Sequence, residues 1–175
     1  MAAVTPKNPS VTAFETRLTA APSMLTPLTF GGTLKSIISV TDIAAADSNA
    51  DTFQVAPVFS SWRIAHIFTK CDAITAGTAY DLGLNSVTAA YVTAVIDADC
   101  YATDWDPSSA ITTLPVDLKN EALDIALNAQ AVWQDPTGGA STDPRAWYYL
   151  AFTADTVGTA AGQISQSIQY VDGTT

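Results

Sequence analysis

The sequence predicts a mainly β protein: an antiparallel β-sandwich or jelly-roll-like domain with one amphipathic helix and an extended N-terminal arm. From residue 33 onward, short apolar runs are separated by turn residues at the spacing of successive strands. The segment 115–133 instead repeats its apolar residues every three or four positions, which indicates a helix. Four of the nine prolines lie within the first 30 residues, where they oppose a strand ladder and favour an extended chain.

Residues 1–30 are the predicted arm. Its large apolar side chains include Phe14, Leu18, Met24, Leu25 and Leu28. We expect these five residues to form an interface, because so much apolar surface is unfavourable in water. Phe14 and Leu18 are four residues apart, which suits a short helical turn over residues 12–20. Two placements remain open: the arm lies along a neighbouring subunit, or it packs on its own domain or stays loose.

Residues 31–175 are the predicted sandwich domain. A chain of 175 residues with 48% hydrophobic residues is long and apolar enough for one domain with a buried core. Pro57 predicts an edge strand or a bulge, and the run 62–71 is apolar on both faces, which predicts a central strand. Alternation and turn clusters predict strands over residues 34–43, 53–59, 62–71, 80–84, 91–97, 147–153 and 162–171.

The last two predicted strands are expected to form a β-hairpin around a loop that contains Gly158 and Gly162. The final strand alternates, so that one of its faces carries Ile164, Gln166, Ile168 and Tyr170.

The predicted helix begins near Pro115 and ends before Asp135 and Pro136. A proline in the first turn and acidic residues near the start are favourable at a helix N-terminus. Such a helix would cover one face of a sheet. Its apolar face comprises Leu118, Ala122, Ile125, Ala129 and Trp133.

The chain is acidic, with 17 Asp and Glu residues against 7 Lys and Arg, and its net charge is −10. It has no run of Lys or Arg, so binding to nucleic acid or to an anionic membrane is not expected. Charged residues make up 14% of the sequence, against about 25% in typical globular proteins. A weakly charged surface suits contact with other proteins, although a bland Ala- and Thr-rich β domain has the same composition. The N-terminus lacks the features of a secretory signal, and we expect synthesis in a cytosol.

Few residues are available for catalysis, and no enzyme activity or cofactor is predicted. His66 is the only histidine, and its place in an apolar strand favours a core or interface role over that of a catalytic base. Cys71 and Cys100 lack the spacing of a metal or redox motif, so two reduced, partly buried thiols are expected. No glycine pattern for binding phosphate is present.

The most acidic stretch holds weak candidates for a metal site: Asp97, Asp99, Asp104 and Asp106. Alternating carboxylates are ligands that Ca²⁺ prefers, but the glycine and glutamate of an EF-hand loop are missing. We therefore interpret the stretch as a solvated loop after a strand and predict no metal.

Exposed aromatic residues would suit a sugar-binding platform. Because the candidates stand within or beside periodic apolar segments, packing in the core or at a subunit interface is favoured. These candidates are Trp105, Trp133, Trp147, Tyr148 and Tyr149.

The order of several weak patterns between residues 33 and 171 resembles the head decoration, or cement, proteins of tailed bacteriophages. The stretches that carry this resemblance are residues 43–47, 53–57, 62–67, 72–84, 131–133, 143–144 and 158–170. The resemblance implies a β-sandwich protein, typically a homotrimer, that binds the outer surface of an icosahedral head and clamps neighbouring capsomers of the major capsid protein. It supplies no catalytic residues. Two other roles remain open: a tail-tube or head–tail connector component, and a carbohydrate-binding adhesin module of the virion.

Overall fold

A computed structural model describes residues 33–87, 93–120, 130–136 and 140–172. The arm residues Phe14, Leu18, Met24, Leu25 and Leu28 therefore lie outside the described residues, as do the middle of the predicted helix and the start of the predicted strand 91–97. The described residues contain eight strands: β1 (Leu34–Ile43), β2 (Thr52–Phe59), β3 (Arg63–Cys71), β4 (Ala79–Val87), β5 (Thr93–Trp105), β6 (Ile111–Asp117), β7 (Trp147–Thr156) and β8 (Gly162–Val171).

The strands form two four-stranded antiparallel sheets. Sheet 1 has the order β1-β8-β3-β6, and sheet 2 has the order β2-β7-β4-β5. Among the described strands, β4 and β5 are the one pair of consecutive strands that are hydrogen-bonded neighbours. Every other connection takes the chain from one sheet to the other. One face of each sheet contributes to a shared core, which includes Ile64, Ile67, Leu82, Leu84, Phe152, Ile164 and Ile168.

The mainly β prediction is confirmed, and several strands lie where the sequence places them. Strand β1 has the predicted bounds. Strand β2 is an edge strand, as Pro57 predicts, and its register with β7 shifts between Gln54 and Ala56. Strand β3 is central, since it pairs with both β8 and β6. In β8, the face with Ile164, Gln166, Ile168 and Tyr170 is the buried one.

The predicted C-terminal hairpin is wrong. Strand β7 pairs with β2 and β4 in sheet 2, whereas β8 pairs with β1 and β3 in sheet 1. A strand with one buried face shows the same alternation of residues in two arrangements. It can pair with the next strand in a hairpin, or it can face that strand across the core. The pattern therefore identified both strands without identifying their partners.

The acidic stretch is also not a loop, because β5 continues through it to Trp105. Between Leu82 and Leu84 of β4, the paired position on β5 moves from Ala102 to Asp97, so the extra residues of β5 bulge out of the ladder. Gly83 sits at this bulge, where a Cβ atom would lie 2.0 Å from the carbonyl oxygen of Asp97. The missing side chain thus permits the close approach of the two strands.

The predicted helix does not begin at Pro115, which lies in β6. Strand β6 is an edge strand of sheet 1, where a proline is tolerated. Its last residue, Asp117, accepts a hydrogen bond from the backbone N–H of Ile67 at 2.9 Å, which holds this end of β6 on β3. Short 3₁₀ turns follow at Leu118–Asn120 and Val132–Gln134. The residues between 120 and 130 lie outside the described ranges, so a helix there stays a prediction.

Candidate interaction surface

The outer face of sheet 1 carries large apolar side chains that are open to solvent. On β1, the relative exposures of Leu34, Ile38 and Val40 are 52%, 72% and 55%. The alternate residues of the same strand point inward, and Thr41 and Ile43 are buried. Strand β1 therefore turns its larger apolar row outward, away from the core.

A shallow groove of about 310 Å³ crosses this face. Its centre is a row of paired residues, Ile38 of β1, Ser167 of β8 and Phe68 of β3. Ser165 extends the floor on β8, and Pro115 of β6 contributes to the far wall. Small serines on a central strand, between larger apolar side chains on the strands around it, give the groove its concave and mostly apolar lining. We call it the sheet 1 groove.

Polar groups surround this groove. His66 Nδ1 lies 2.7 Å from Asp117 Oδ2, and the His66 ring stacks on Phe68 with 5.0 Å between ring centroids. Lys70 Nζ donates to the carbonyl oxygen of Thr112 at 2.9 Å. An apolar centre with a polar rim is the usual composition of a protein–protein interface. His66 thus lies on the outer face of sheet 1 next to a carboxylate, and the bulge between Ile64 and His66 explains why it does not share the buried face of Ile64.

The aromatic residues do not form one platform. Trp105 is buried, where it stacks on Phe152 with 5.6 Å between ring centroids. Trp147 is 48% exposed and meets Phe59 and Trp62 edge-on, at 5.2 and 5.4 Å between centroids. One exposed indole therefore remains at this end of the sandwich, held by its aromatic neighbours.

A buried charge cluster lies beneath the turns that flank residues 121–129. Lys119 Nζ is 3.0 Å from Asp135 Oδ2, and the side chains are 1% and 0% exposed. The Tyr101 hydroxyl donates to the same carboxylate oxygen at 2.7 Å, and Lys119 Nζ lies 4.5 Å from the centre of the Tyr101 ring. These contacts fix both 3₁₀ turns to β5. This cluster was not predicted from the sequence, because nothing in the local pattern pairs Lys119 with Asp135.

Burial dominates the ionisation of this cluster. Loss of solvent lowers the pKa of Lys119 and raises the pKa of Asp135, and the contact between the two groups opposes both shifts. Burial also raises the pKa of Tyr101 well above its ordinary value, with the Asp135 charge adding to the effect. The cluster is enclosed in protein, so its role is to hold structure.

The four acidic candidates are only partly brought together. The backbone N–H of Asp99 donates to Asp97 Oδ1 at 3.4 Å, and a side-chain hydrogen bond to Asp97 is the main cause of the raised pKa of Asp99. Asp104 instead donates its backbone N–H to Asp81 Oδ1 at 2.8 Å. Asp106 bonds to Ser108, which lowers its pKa. In the described ranges, no three acidic, His or Cys side chains gather as metal ligands would.

Both cysteines are buried and free. Burial is the main cause of the raised pKa of each thiol, which keeps both protonated and unreactive at neutral pH. Cys71 lies on β3 and Cys100 on β5, in different sheets. The prediction of two reduced thiols is confirmed.

The fold is similar to chains in two solved phage capsids. A chain in the capsid of Ralstonia phage GP4 superposes with a TM-score of 0.56 at 12% sequence identity, over 82% of this chain and 87% of that chain. A chain in the capsid asymmetric unit of cyanophage Pam1 gives a TM-score of 0.46 at 14% identity, over 87% and 91% of the two chains. No family model and no curated protein matches the sequence. Within the described ranges, no helix combines the length and the apolar character that crossing a bilayer requires.

Proposed function

We propose that this chain is a structural protein of a tailed-phage virion that binds the outer surface of the icosahedral head as a homotrimer. In this role it stabilises contacts between subunits of the major capsid protein. The observation that carries the proposal is the fold likeness to a chain of the GP4 capsid, which extends over 82% of this chain. The strand orders β1-β8-β3-β6 and β2-β7-β4-β5 support a double-sheet jelly roll, a fold common in viral capsid proteins.

The surface of the described domain supports a binding role. Exposed apolar residues lie on β1 and β6, and Leu114 of β6 is 79% exposed. Isolated exposed apolar residues are ordinary, but on β1 Ile38 and Val40 lie on the outer face that carries the apolar groove, and such a grouping favours an interaction site. We include the arm residues in the proposed interfaces: Phe14, Leu18, Met24, Leu25 and Leu28.

A protein of this kind stabilises a head by mass action. It binds the assembled shell better than the separate subunits, so the assembled state becomes more stable as the free concentration of this protein rises. A trimer repeats each weak contact three times, and the second and third contacts form at high effective concentration. Modest interfaces are then sufficient for tight binding, and no reacting group is required.

Undecorated heads of the cognate phage test the proposal. Purified protein is mixed with expanded heads at physiological salt, and the heads are sedimented. We expect saturable co-sedimentation and a higher temperature of head disruption in proportion to the bound protein. Heads that already carry their natural complement of surface proteins are the control and should bind little more. Absence of co-sedimentation at any concentration would remove the proposed role.

A second candidate is a carbohydrate-binding module of the virion, which the exposed indole of Trp147 favours. Aromatic side chains at such a position stack on sugar rings. Titration of the intrinsic tryptophan fluorescence with host-cell glycans tests this alternative, with Trp147→Ala as the matched variant. A saturable signal that disappears in this variant would support it over head binding.

Light scattering during size-exclusion chromatography tests the remaining role. A trimer mass agrees with the proposed function. A larger ring mass would instead favour a tail-tube or connector component.

A further inference from the structure

We infer that the sheet 1 groove of one copy binds the segment Phe14–Leu18 of a neighbouring copy. The inference rests on the homo-oligomer of the proposed function and names the contact that holds it together. Phe14 and Leu18 are four residues apart, so one helical turn places both side chains on the same face. An apolar turn of this kind fits a groove lined by Ile38, Phe68 and Pro115.

The chain before β1 is long enough to reach a neighbouring copy. Residues 19–32 separate Leu18 from Thr33, and Pro22 and Pro27 favour an extended course there. Extended, this stretch spans about 46–50 Å. Strand β1 has 10 residues and is about 34 Å long. The extended length of this stretch exceeds that of β1, so the chain can reach the groove of an adjacent molecule with Phe14 and Leu18.

Charge supports the same arrangement. The first 32 residues contain Lys7, Arg17 and Glu15, so their net charge is +1. Because the whole chain has a net charge of −10, residues 33–175 carry −11. Two strongly acidic domains repel each other, and the opening segment is the part of the chain that escapes this repulsion. Contact through this segment therefore joins neighbouring copies with less charge repulsion than direct contact between two acidic domains.

The contact is also of the type that closes a ring. Each copy donates one segment and offers one groove, so the two sides of the interface are different surfaces. Such a head-to-tail contact closes when the rotation between copies divides a full turn, and three copies related by a three-fold axis satisfy this condition.

Disulfide trapping in the full-length protein tests the inference. The variant Leu18→Cys with Ser167→Cys places one thiol on the segment and one on the groove floor, while the native thiols stay buried. We expect dimer and trimer bands on non-reducing gels that disappear with reductant. The matched control is Leu18→Cys with Thr52→Cys, because Thr52 is exposed on an edge strand of sheet 2. The control should remain monomeric on the same gel.

Three outcomes of trapping overturn the inference: no covalent oligomer, equal oligomer yield in the control, or a disulfide that forms only within one chain. The last outcome would mean that each arm covers its own domain.

A second variant avoids new thiols. Ile38→Asp puts a charge in the groove at a side chain that is already 72% exposed, so the fold should be preserved. We expect about tenfold weaker self-association in sedimentation equilibrium. The control Val95→Asp, at an exposed residue of sheet 2, should associate like the wild type. Unchanged self-association of Ile38→Asp also overturns the inference.

Head binding is measured separately, so the two ideas fail separately. Trapped oligomers that do not co-sediment with heads would remove the proposed function and leave the inference intact. Head binding without any trapped oligomer would do the reverse.

Discussion

Replacing Lys119 with Met tests what holds the turns around residues 118–135 to the sandwich. The variant Lys119→Met keeps a long side chain but removes the cation that lies 3.0 Å from Asp135 Oδ2. Both side chains are almost fully shielded from water, at 1% and 0% exposure, so solvent cannot replace the lost partner. The Tyr101 hydroxyl still donates to that oxygen, at 2.7 Å. Breaking one partner of a buried pair costs about 3–5 kcal/mol of unfolding free energy.

The two-residue variant separates a lost attraction from an isolated charge. Lys119→Met with Asp135→Leu removes both charges, and buried ion pairs replaced in this way are often neutral or more stable. We expect the double variant to be more stable than either single variant. The double variant leaves the Tyr101 hydroxyl without its Asp135 acceptor, which lowers the free energy of unfolding by about 1–3 kcal/mol. Adding Tyr101→Phe removes the hydroxyl and should restore this loss. Non-additivity of this size in a double-mutant cycle is the signature of direct coupling.

The effect of pH has a definite sign. Burial raises the pKa of Asp135, and removing Lys119 raises it further, because the cation favours the charged carboxylate. A carboxyl group with a raised pKa in the folded state contributes stability that is complete below its unfolded pKa, about 3.9, and is lost as pH rises through the folded pKa. The deficit of Lys119→Met relative to the wild type should therefore be smallest near pH 4 and grow toward pH 7.

Urea unfolding followed by tryptophan fluorescence measures these differences. Protein concentration must be fixed, since an oligomer's stability depends on it. The control is Lys35→Met, which removes the cation of a partly exposed pair with Asp172 at 3.1 Å. Such a pair contributes about 0–1 kcal/mol. If Lys119→Met costs no more than Lys35→Met at pH 7, the reasoning about the buried cluster is wrong.

Three further predictions concern buried residues. Gly83→Ala should lower the free energy of unfolding by about 1–3 kcal/mol, since its Cβ would lie 2.0 Å from a carbonyl oxygen of β5. The control Gly162→Ala should lower it less, because the nearest contact of that Cβ is a side-chain atom at 3.0 Å. Urea unfolding measures both differences. Cys71 and Cys100 should resist a thiol reagent in the folded protein and react once the protein is unfolded, because burial raises the pKa of each thiol. Rapid labelling of either cysteine in the folded protein would contradict the raised pKa of that thiol. Burial raises the pKa of Tyr80 to about 12, so its contribution to stability should persist below the unfolded value near 10 and be lost as pH rises through about 12. Tyr80→Phe should show a shallower alkaline loss of stability, and an equal loss would show that other groups cause it.

Local patterns predicted the strands well. The alternation of β8 identified the strand and placed Ile164 and Ile168 on one face, and the structure puts both residues in the core. Pro57 identified β2 as an edge strand, since a proline has no backbone N–H to donate to a neighbouring strand. In each case the decisive information lies within a few adjacent residues.

The outward face of β1 could not be predicted in this way. Its alternation shows two faces, and the larger apolar row with Ile38 and Val40 would be the natural choice for the core. The structure buries Thr41 and Ile43 instead. Which face is buried depends on the orientation of the strand relative to the opposite sheet, and the strand's own residues do not contain that information.

The candidate site required the same non-local information. The sheet 1 groove combines residues of β1, β3, β6 and β8, and each of them is unremarkable within its own segment. The buried pair of Lys119 and Asp135 depends on Tyr101 from a distant strand. No spacing rule brings such residues together.

By itself, the sequence determined a mainly β chain with a low charge content, an acidic net charge and a proline-containing opening segment. The tertiary structure decided which strands are neighbours, which side of each strand faces water and where the apolar groove lies. The physical reason is one of range. Strand formation follows from the pattern of adjacent residues, whereas strand pairing and burial follow from contacts between residues far apart in the chain.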